Sequence, residues 1–427
     1  MKRLLFIAHR VPYPPDKGER VRAFHELKAL SRHFRITLAA LTHSDPDAST
    51  APELQECCEK VITGSAGGNL GLLRGALSLC AGNSVTEGYF RDRGLLRTLL
   101  EESQREPFDL VFAYSSSTLP YALAVPAAAR VMDLVDVDSA KWAAYAQSVW
   151  WPKRWLYRRE ACGVQALERR AVETCDAVLL VSEAEVAALR LTSGKVTAIG
   201  NGVDTDFFKP DGSVPQQATA LVFTGTLDYR PNVEGVCGFV REVWPALKRE
   251  VPELTFTIVG RDPTPEVLRL AGAPGITVTG TVKDVRPYLA SASLAVVPLR
   301  IARGIQNKIL EAMAMGRAVV ASPQAIEGLD VNIGEEVLRA ESPDEWVAAV
   351  RGLLSDGDRR ERVGQAARKR VVSDYSWASR MMPLVSLCTD LAGASEPAQG
   401  APRQTDRDAA RLRHVGGRAE PLQGATP

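Results

Sequence analysis

Two successive doubly wound α/β domains are predicted for this chain, on three observations. Its strand candidates are near-continuous apolar runs rather than alternating ones, the pattern of parallel strands covered on both faces. Those runs alternate with longer stretches of helical periodicity, as strand–helix–strand units require. The pattern stops at a polar, Pro- and Gly-containing stretch near the middle and then starts again. A length of 427 residues suits two such domains, since one domain runs to roughly 100–200 residues.

In the first half the apolar runs are Leu4–Ala8, Arg35–Leu41, Leu110–Tyr114, Arg130–Leu134 and Ala177–Val181. Helical stretches lie between them at Arg20–His33, Gly94–Glu106 and Arg158–Thr174. In the second half the runs are Leu221–Thr224, Thr255–Val259, Ile276–Thr279, Leu294–Pro298 and Ala318–Ala321. Helices are expected there at Asn232–Glu250, Val285–Ala290, Asn307–Met315, Pro343–Leu354 and Arg359–Val372. The expected division is a first domain over 1–205, a linker over 206–219 and a second domain over 220–390. The final helix is expected to pack back on the first domain. Residues 391–427 are rich in Ala, Gly, Pro, Gln and Arg, too poor in large apolar groups to offset ordering entropy, and are read as a disordered tail. The cleft between two such domains is the default ligand site.

Bulk composition narrows the chemistry. Hydrophobic residues make up 45% and charged ones 24%, with a formal charge of +1, so no overall field argues for nucleic acid. The seven cysteines are odd in number and none are spaced CxxC, which fits neither a disulfide framework nor a cysteine metal site and suits a reducing compartment. Near the N-terminus the apolar run is about five residues, short of the roughly 7–15 of a signal h-region, and reads as a first buried strand. No stretch approaches the ~20 apolar residues of a membrane helix. The longest candidate, 70–81, is broken by Arg74 and two glycines.

The strongest local signal is Pro298-Leu299-Arg300-Ile301-Ala302-Arg303-Gly304-Ile305-Gln306-Asn307-Lys308-Ile309-Leu310-Glu311. A strand ends near Pro298, a loop carries Gly304, and a helix starts near Gln306 or Asn307. Unbonded amides and the helix dipole favour an anion at such a start, and Gly304 lets a ligand approach the backbone. Lys308 and Glu311, three apart, share a helical face. A cation beside phosphate and a carboxylate beside a ribose diol suit a nucleoside diphosphate. From spacing alone, a surface ion pair on an ordinary helix explains the same residues.

The full string resembles the donor-binding region of retaining glycosyltransferases of the two-Rossmann (GT-B) type, in particular the large family 4. Other segments agree in order: Cys175 to Glu183 resembles that family's strand and turn closing the first domain, and Ile199-Gly200-Asn201-Gly202-Val203-Asp204 its interdomain crossing. Phe223-Thr224-Gly225-Thr226-Leu227-Asp228-Tyr229-Arg230-Pro231-Asn232 resembles the first strand–turn–helix of its second domain. The resemblance covers about residues 1–390, and within the family is nearest to sugar transferases of bacterial exopolysaccharide clusters, including those linked to exosortase (PEP-CTERM) systems.

That resemblance implies a set of roles. Glu311 would hold the ribose hydroxyls, while the amides of Gly304, Ile305, Gln306 and Asn307 would hold the diphosphate and the sugar. Lys308 would add a cation, and Gly225 would sit where the strand turns beneath the phosphates. Arg230 is the best match for the family's basic residue facing the departing diphosphate, with a solvated turn residue as its competing role. One departure stands out: the family places a second glutamate eight positions before the ribose-binding one, and here that position is Arg303. A guanidinium cannot accept hydrogen bonds from sugar hydroxyls but can neutralise phosphate, so the contact to the donor sugar is rearranged.

In the first domain, the loop 12–22 resembles the family's glycine loop in a one-glycine form, with Gly18 near a helix start and Lys17, Arg20 and Arg22 around it; a simple strand–helix turn competes. Where the family often carries a histidine, this chain has Val135-Asp136-Val137-Asp138-Ser139. Asp136 or Asp138 could orient the acceptor hydroxyl or accept its proton, and helix capping by Asp138 or Ser139 is the alternative. The Asp136–Asp138 spacing also matches the metal-binding DxD of single-domain transferases. Twin Rossmann domains imply metal-independent chemistry instead, so no metal and no cofactor are expected. His9 could face the cleft, with ordinary packing competing.

Trp142 and the run Trp150-Trp151-Pro152-Lys153-Arg154-Trp155-Leu156-Tyr157-Arg158-Arg159 interleave rings with cations. Peripheral membrane contact through 142–159 and aromatic core packing are the two readings. The expected partners are a nucleotide-sugar donor and a glycan or lipid-linked acceptor, with no nucleic acid. The expected setting is the cytoplasm, at the inner face of its membrane. A GT-B-fold epimerase and a non-catalytic nucleotide-sugar-binding protein stay open as alternatives. An NAD-dependent oxidoreductase is disfavoured because GxGxxG does not follow the first strand.

Overall fold

In the computed structural model, residues 16–17, 43–50, 192, 211, 303–304 and 395–427 are not described, nor are the side chains at 18, 19 and 148. The first sheet comprises Lys2–Ala8 (β1), Phe34–Thr42 (β2), Lys60–Ser65 (β3), Phe108–Tyr114 (β4), Ala127–Val135 (β5), Ala177–Leu180 (β6) and Val196–Ala198 (β7). All its pairings are parallel, in the order β3-β2-β1-β4-β5-β6-β7. Phe6 lies in register with Leu38 on one side and Phe112 on the other, the two rings stacked at 4.9 Å.

The second sheet comprises Ala220–Thr224 (β8), Thr255–Val259 (β9), Ile276–Val278 (β10), Leu294–Val297 (β11), Ala318–Ala321 (β12) and Leu338–Arg339 (β13). It too is parallel, ordered β10-β9-β8-β11-β12-β13. Each sheet reverses its strand order once, at β1/β4 and at β8/β11. Ligands of such sheets bind beyond the strand C-termini at that reversal, and both candidate sites lie there. The α/β expectation of two doubly wound sheets is met.

The strands that sequence patterning missed are β3, β7 and β13, all at sheet edges. An edge strand is half exposed and short, so it shows no continuous apolar run; β3, KVITGS, buries only Ile62. The single helix expected at Asn232–Glu250 is two, Arg230–Glu242 and Trp244–Glu250. Pro245 stands in the first turn of the second, where a proline opens a helix rather than continuing one.

The chain forms two compact units, Met1–Gly200 together with residues 381–394, and Asn201–Arg380. Asn201 to Thr219 is bound to the second unit. The Val203 amide donates to Tyr375 O at 2.8 Å, the Gln217 amide to Ser291 O at 2.8 Å, and Arg286 stacks over the Phe207 ring at 3.8 Å. The stretch expected as a linker over 206–219 is therefore part of that unit's surface. The last helix, Trp377–Gly393, runs past residue 391, where a tail was expected to start. In the first unit Leu384 and Cys388 of this helix are fully buried, and Lys2 Nζ donates to Ala392 O. The rest of the expected tail, 395–427, lies outside the described residues.

A charged network closes the C-terminal edge of the first sheet. Arg22, fully buried on helix Gly18–Leu30, donates to Asp133 Oδ2 at 2.7 and 2.8 Å and to Ile199 O at 2.8 Å, with Glu26 Oε1 2.9 Å from its Nε. Desolvation works against the Arg22 charge, but Asp133 and Glu26 outweigh it and its pKa is raised. Burial, then the Asp133 charge, pushes the Glu26 carboxyl well above its ordinary range. Arg22 is thus bracketed by two buried carboxyls, with its shortest contacts to Asp133. Arg22→Met leaves Asp133 buried without its counter-charge and is expected to cost about 3–5 kcal/mol in urea unfolding; a loss under 1 kcal/mol would show that the network is dispensable.

Candidate functional site

The second-unit site is built where β8 ends beside β11. At Gly225 the chain leaves β8, its amide donating to Val259 O at 3.0 Å. A Cβ on Gly260 would lie 1.7 Å from Gly225 O, so only glycine lets these two strand ends approach so closely. A Cβ on Gly225 would lie 2.8 Å from Asn232 Nδ2 and 3.1 Å from Lys308 Nζ. Beyond β11 the chain returns into helix Asn307–Ala314, whose buried residues Ile309, Leu310, Ala312, Met313 and Ala314 fasten it to the core.

Lys308 is held by groups that carry no net charge. Its Nζ donates to Asn232 Oδ1 and lies 4.8 Å from the centre of the Phe223 ring, a cation–π distance. Burial lowers its pKa to about 8, with Glu311 opposing the shift. Glu311, one turn on, keeps some solvent access, yet burial raises its carboxyl to about 6 against the pull of Lys308. The two make no direct ion pair, and among the described residues no donor reaches the Glu311 carboxylate. Nor does any described side chain cap the helix start at Gln306. The arrangement offers first-turn amides, one desolvated ammonium and one open carboxylate side by side, the groups that an anion with a neighbouring diol would engage.

Of the residues singled out from sequence, the structure thus brings together Gly225, Lys308 and Glu311, with Ile305, Gln306 and Asn307 at the helix start. Arg303 and Gly304 lie outside the described residues. Arg230 opens helix Arg230–Glu242 as a solvated residue, its side chain 85% exposed and its Nε 2.6 Å from Glu234 Oε1. Sequence reasoning missed Asn232 and Gly260. The signal for Asn232 was an amide side chain in a first helical turn, where Asn is poor without a local partner; here its Nδ2 donates to Thr226 O at 2.8 Å.

In the first unit the corresponding edge gathers His9 after β1 and Asp136, Asp138 and Ser139 after β5. His9 stacks at 5.8 Å on Tyr114 and meets the Phe90 ring edge-on, so packing fixes its plane. Val135 has φ 67°, and its amide donates to Asp133 Oδ1 at 2.7 Å. Capping of the following helix is not done by Asp138 or Ser139. Instead Glu185 Oε2 accepts the Val137 amide at 2.7 Å, and Glu168 accepts the Ser139 amide at 2.9 Å and hydroxyl at 2.5 Å. Burial raises Glu168 to about 7 in spite of those bonds. Desolvation, then Glu185 and Asp138, also raise Asp136, although its exposure lets water screen the shift. Burial raises Asp138, opposed by Lys141, whose Nζ lies 3.8 Å away, and by His9. Neither aspartate serves as a cap, and Asp138 faces the Lys141 ammonium. Gly18 opens helix Gly18–Leu30 on the same unit, and Lys17 lies outside the described residues.

The aromatic segment divides. Trp142 packs on Tyr157 at 5.3 Å, whereas Trp150, Trp151 and Trp155 stand exposed. Among the described residues no helix is long and apolar enough to cross a membrane.

Comparison with known proteins bears on the second unit and on the fold. Residues 218–356 match the family model for glycosyl transferases group 1. A Mycobacterium tuberculosis GDP-mannose-dependent alpha-(1-6)-phosphatidylinositol monomannoside mannosyltransferase is 31% identical over 199 residues, 41% of this chain and 51% of that protein. The chain thus spans about half the length of that curated relative. Sucrose-phosphate synthase from Thermosynechococcus elongatus superposes with a TM-score of 0.60 at 18% identity, over 92% of this chain and 100% of that one. Anabaena Alr3699/HepE, crystallised with UDP, superposes with a TM-score of 0.60 at 15% identity, over 91% and 100%. The twin Rossmann-like units give the chain the GT-B fold, and its second unit carries a glycosyl transferases group 1 domain.

Proposed function

We propose that the protein transfers a sugar from a nucleoside-diphosphate-sugar to a glycan or lipid-linked acceptor. The observation that carries this reading is the Glu311 carboxylate, which no described donor reaches, beside the desolvated Lys308 on helix Asn307–Ala314, at the strand-order reversal of the second sheet. Glu311 accepts the two ribose hydroxyls. Lys308 and the amides from Gly304 to Asn307 hold the diphosphate, and Gly225 leaves room for it. Support comes from the HepE structures with UDP and UDP-glucose, and from the mycobacterial relative, named for GDP-mannose and a phosphatidylinositol acceptor.

The transfer is of the retaining, metal-independent kind. The bond from the anomeric carbon to the diphosphate breaks while the acceptor oxygen arrives on the same face, and the acceptor proton passes to a phosphate oxygen. The protein's part is then electrostatic and positional. Asp136 or Asp138 orients the acceptor hydroxyl, Arg303 offsets phosphate charge, and Arg230 does so once released from Glu234. Assembly of an extracellular polysaccharide is the setting this reading favours.

Glu311→Ala is expected to weaken nucleoside-diphosphate-sugar binding by about 2–4 kcal/mol, two hydrogen bonds to a charged acceptor being lost. Calorimetric titration with UDP- and GDP-sugars measures this, and an unchanged affinity would falsify the assignment. Tight binding without hydrolysis or transfer, even with membrane extract as acceptor source, would point to a binding protein instead.

The pH dependence of donor affinity follows from the two shifted groups. Affinity should rise with pH through about 6 as Glu311 ionises, and fall above about 8 as Lys308 loses the proton that attracts phosphate. Glu311→Gln should remove the acid limb and Lys308→Met the alkaline limb. Limbs that persist in those variants would assign the titrations to other groups.

A further inference from the structure

Helix Gly68–Cys80 has its polarity reversed. The residues it buries are Gly71 and Gly75, pressed so closely on its neighbour that a Cβ on Gly75 would lie 2.8 Å from Val85 Cγ1. Its large apolar residues face outward, with Leu70, Leu72, Leu73 and Leu77 exposed by 58, 61, 57 and 62%. Leu70, Leu73 and Leu77 follow the spacing of one helical face. A contiguous outward stripe of this kind marks an interaction surface.

A second element lies against the end of this helix. Arg159 Nη2 donates to Gly82 O at 2.5 Å, and a Cβ on Gly163 would come within 2.9 Å of Ser84. One turn before Arg159, Trp155 is 57% exposed, and Trp150 and Trp151 are 85 and 66% exposed. Lys153 and Arg154 lie between the tryptophans and Arg158 follows them, all three exposed and in no ion pair among the described residues. Neither 68–80 nor 149–159 contains a single Asp or Glu. Val85 and Leu156 of these elements also line a recess with Phe90 and Trp142, in which the Glu160 carboxylate is taken up by the Val85 and Thr86 amides.

We propose that this face of the first unit seats on an anionic lipid surface, with helix Gly68–Cys80 lying in the plane of the interface. The leucines enter the acyl region, the tryptophans take headgroup depth, and the lysine and arginines meet anionic headgroups. With 13 residues the helix is too short to span. Charge complementarity selects the occupant. A second copy of this chain would set the same uncompensated cations against each other, whereas an anionic bilayer offers negative charge and apolar interior side by side. The inference does not rest on the transfer reaction, since attachment is read without donor or acceptor.

The test is sedimentation of the full chain with phosphatidylglycerol–phosphatidylcholine vesicles and with phosphatidylcholine alone. Binding to the anionic vesicles that weakens with salt is expected. Lys153→Gln/Arg154→Gln/Arg158→Gln should weaken it by roughly a hundredfold, and Leu73→Ser/Leu77→Ser by about tenfold or more. Both variants alter exposed side chains only, and unchanged circular dichroism would verify their folding. In the unaltered chain, lipids brominated on their acyl chains should quench tryptophan fluorescence. Absent binding, equal binding to neutral vesicles, or unchanged binding of the leucine variant overturns the proposal. So does a concentration-dependent dimer abolished by the leucine substitutions, which would assign the face to a second copy.

Discussion

A guanidinium cut off from water organises the C-terminal edge of the first sheet. Arg22 ties its helix to Asp133 at the end of β5 and to Ile199 O beyond β7. Asp133 in turn accepts the Val135 amide and supports the left-handed turn that Val135 makes. Asp136 and Asp138 follow within three residues, so a buried charge pair sets where two partly exposed carboxylates stand. An apolar core alone, being non-directional, would fix the sheet without fixing that turn.

The second unit solves a similar problem by another route. Among the described residues no carboxylate is paired with Lys308; an amide oxygen and a ring face hold it instead. Both Lys308 and Glu311 are therefore kept in the charged form less firmly than in water, and a ligand carrying a phosphate and a diol would relieve both. Close approach of Gly225 and Gly260 leaves the space that this requires.

How far the sequence could be read depended on the range of each interaction. Central strands such as β1, β4 and β8 are buried on both faces and read as apolar runs, while β3 and β13 at the edges do not. Gly225, Lys308 and Glu311 were legible because they sit in ordered motifs along the chain. Glu168 was not, because it reaches Ser139 from 29 positions away in sequence. Helix Gly68–Cys80 escaped pattern reading for a different reason: glycine inward and leucine outward inverts the amphipathic rule on which such reading relies.

The return of the last helix to the first unit has a consequence for synthesis on the ribosome. Asn201–Arg380 is one uninterrupted stretch, so its sheet can close as soon as that stretch has emerged. The first unit, although translated earlier, lacks Leu384 and Cys388 from its core until the final helix arrives. The usual order in which an N-terminal domain is finished first is reversed here. Until then the places that Leu384 and Cys388 take in the first unit are unfilled.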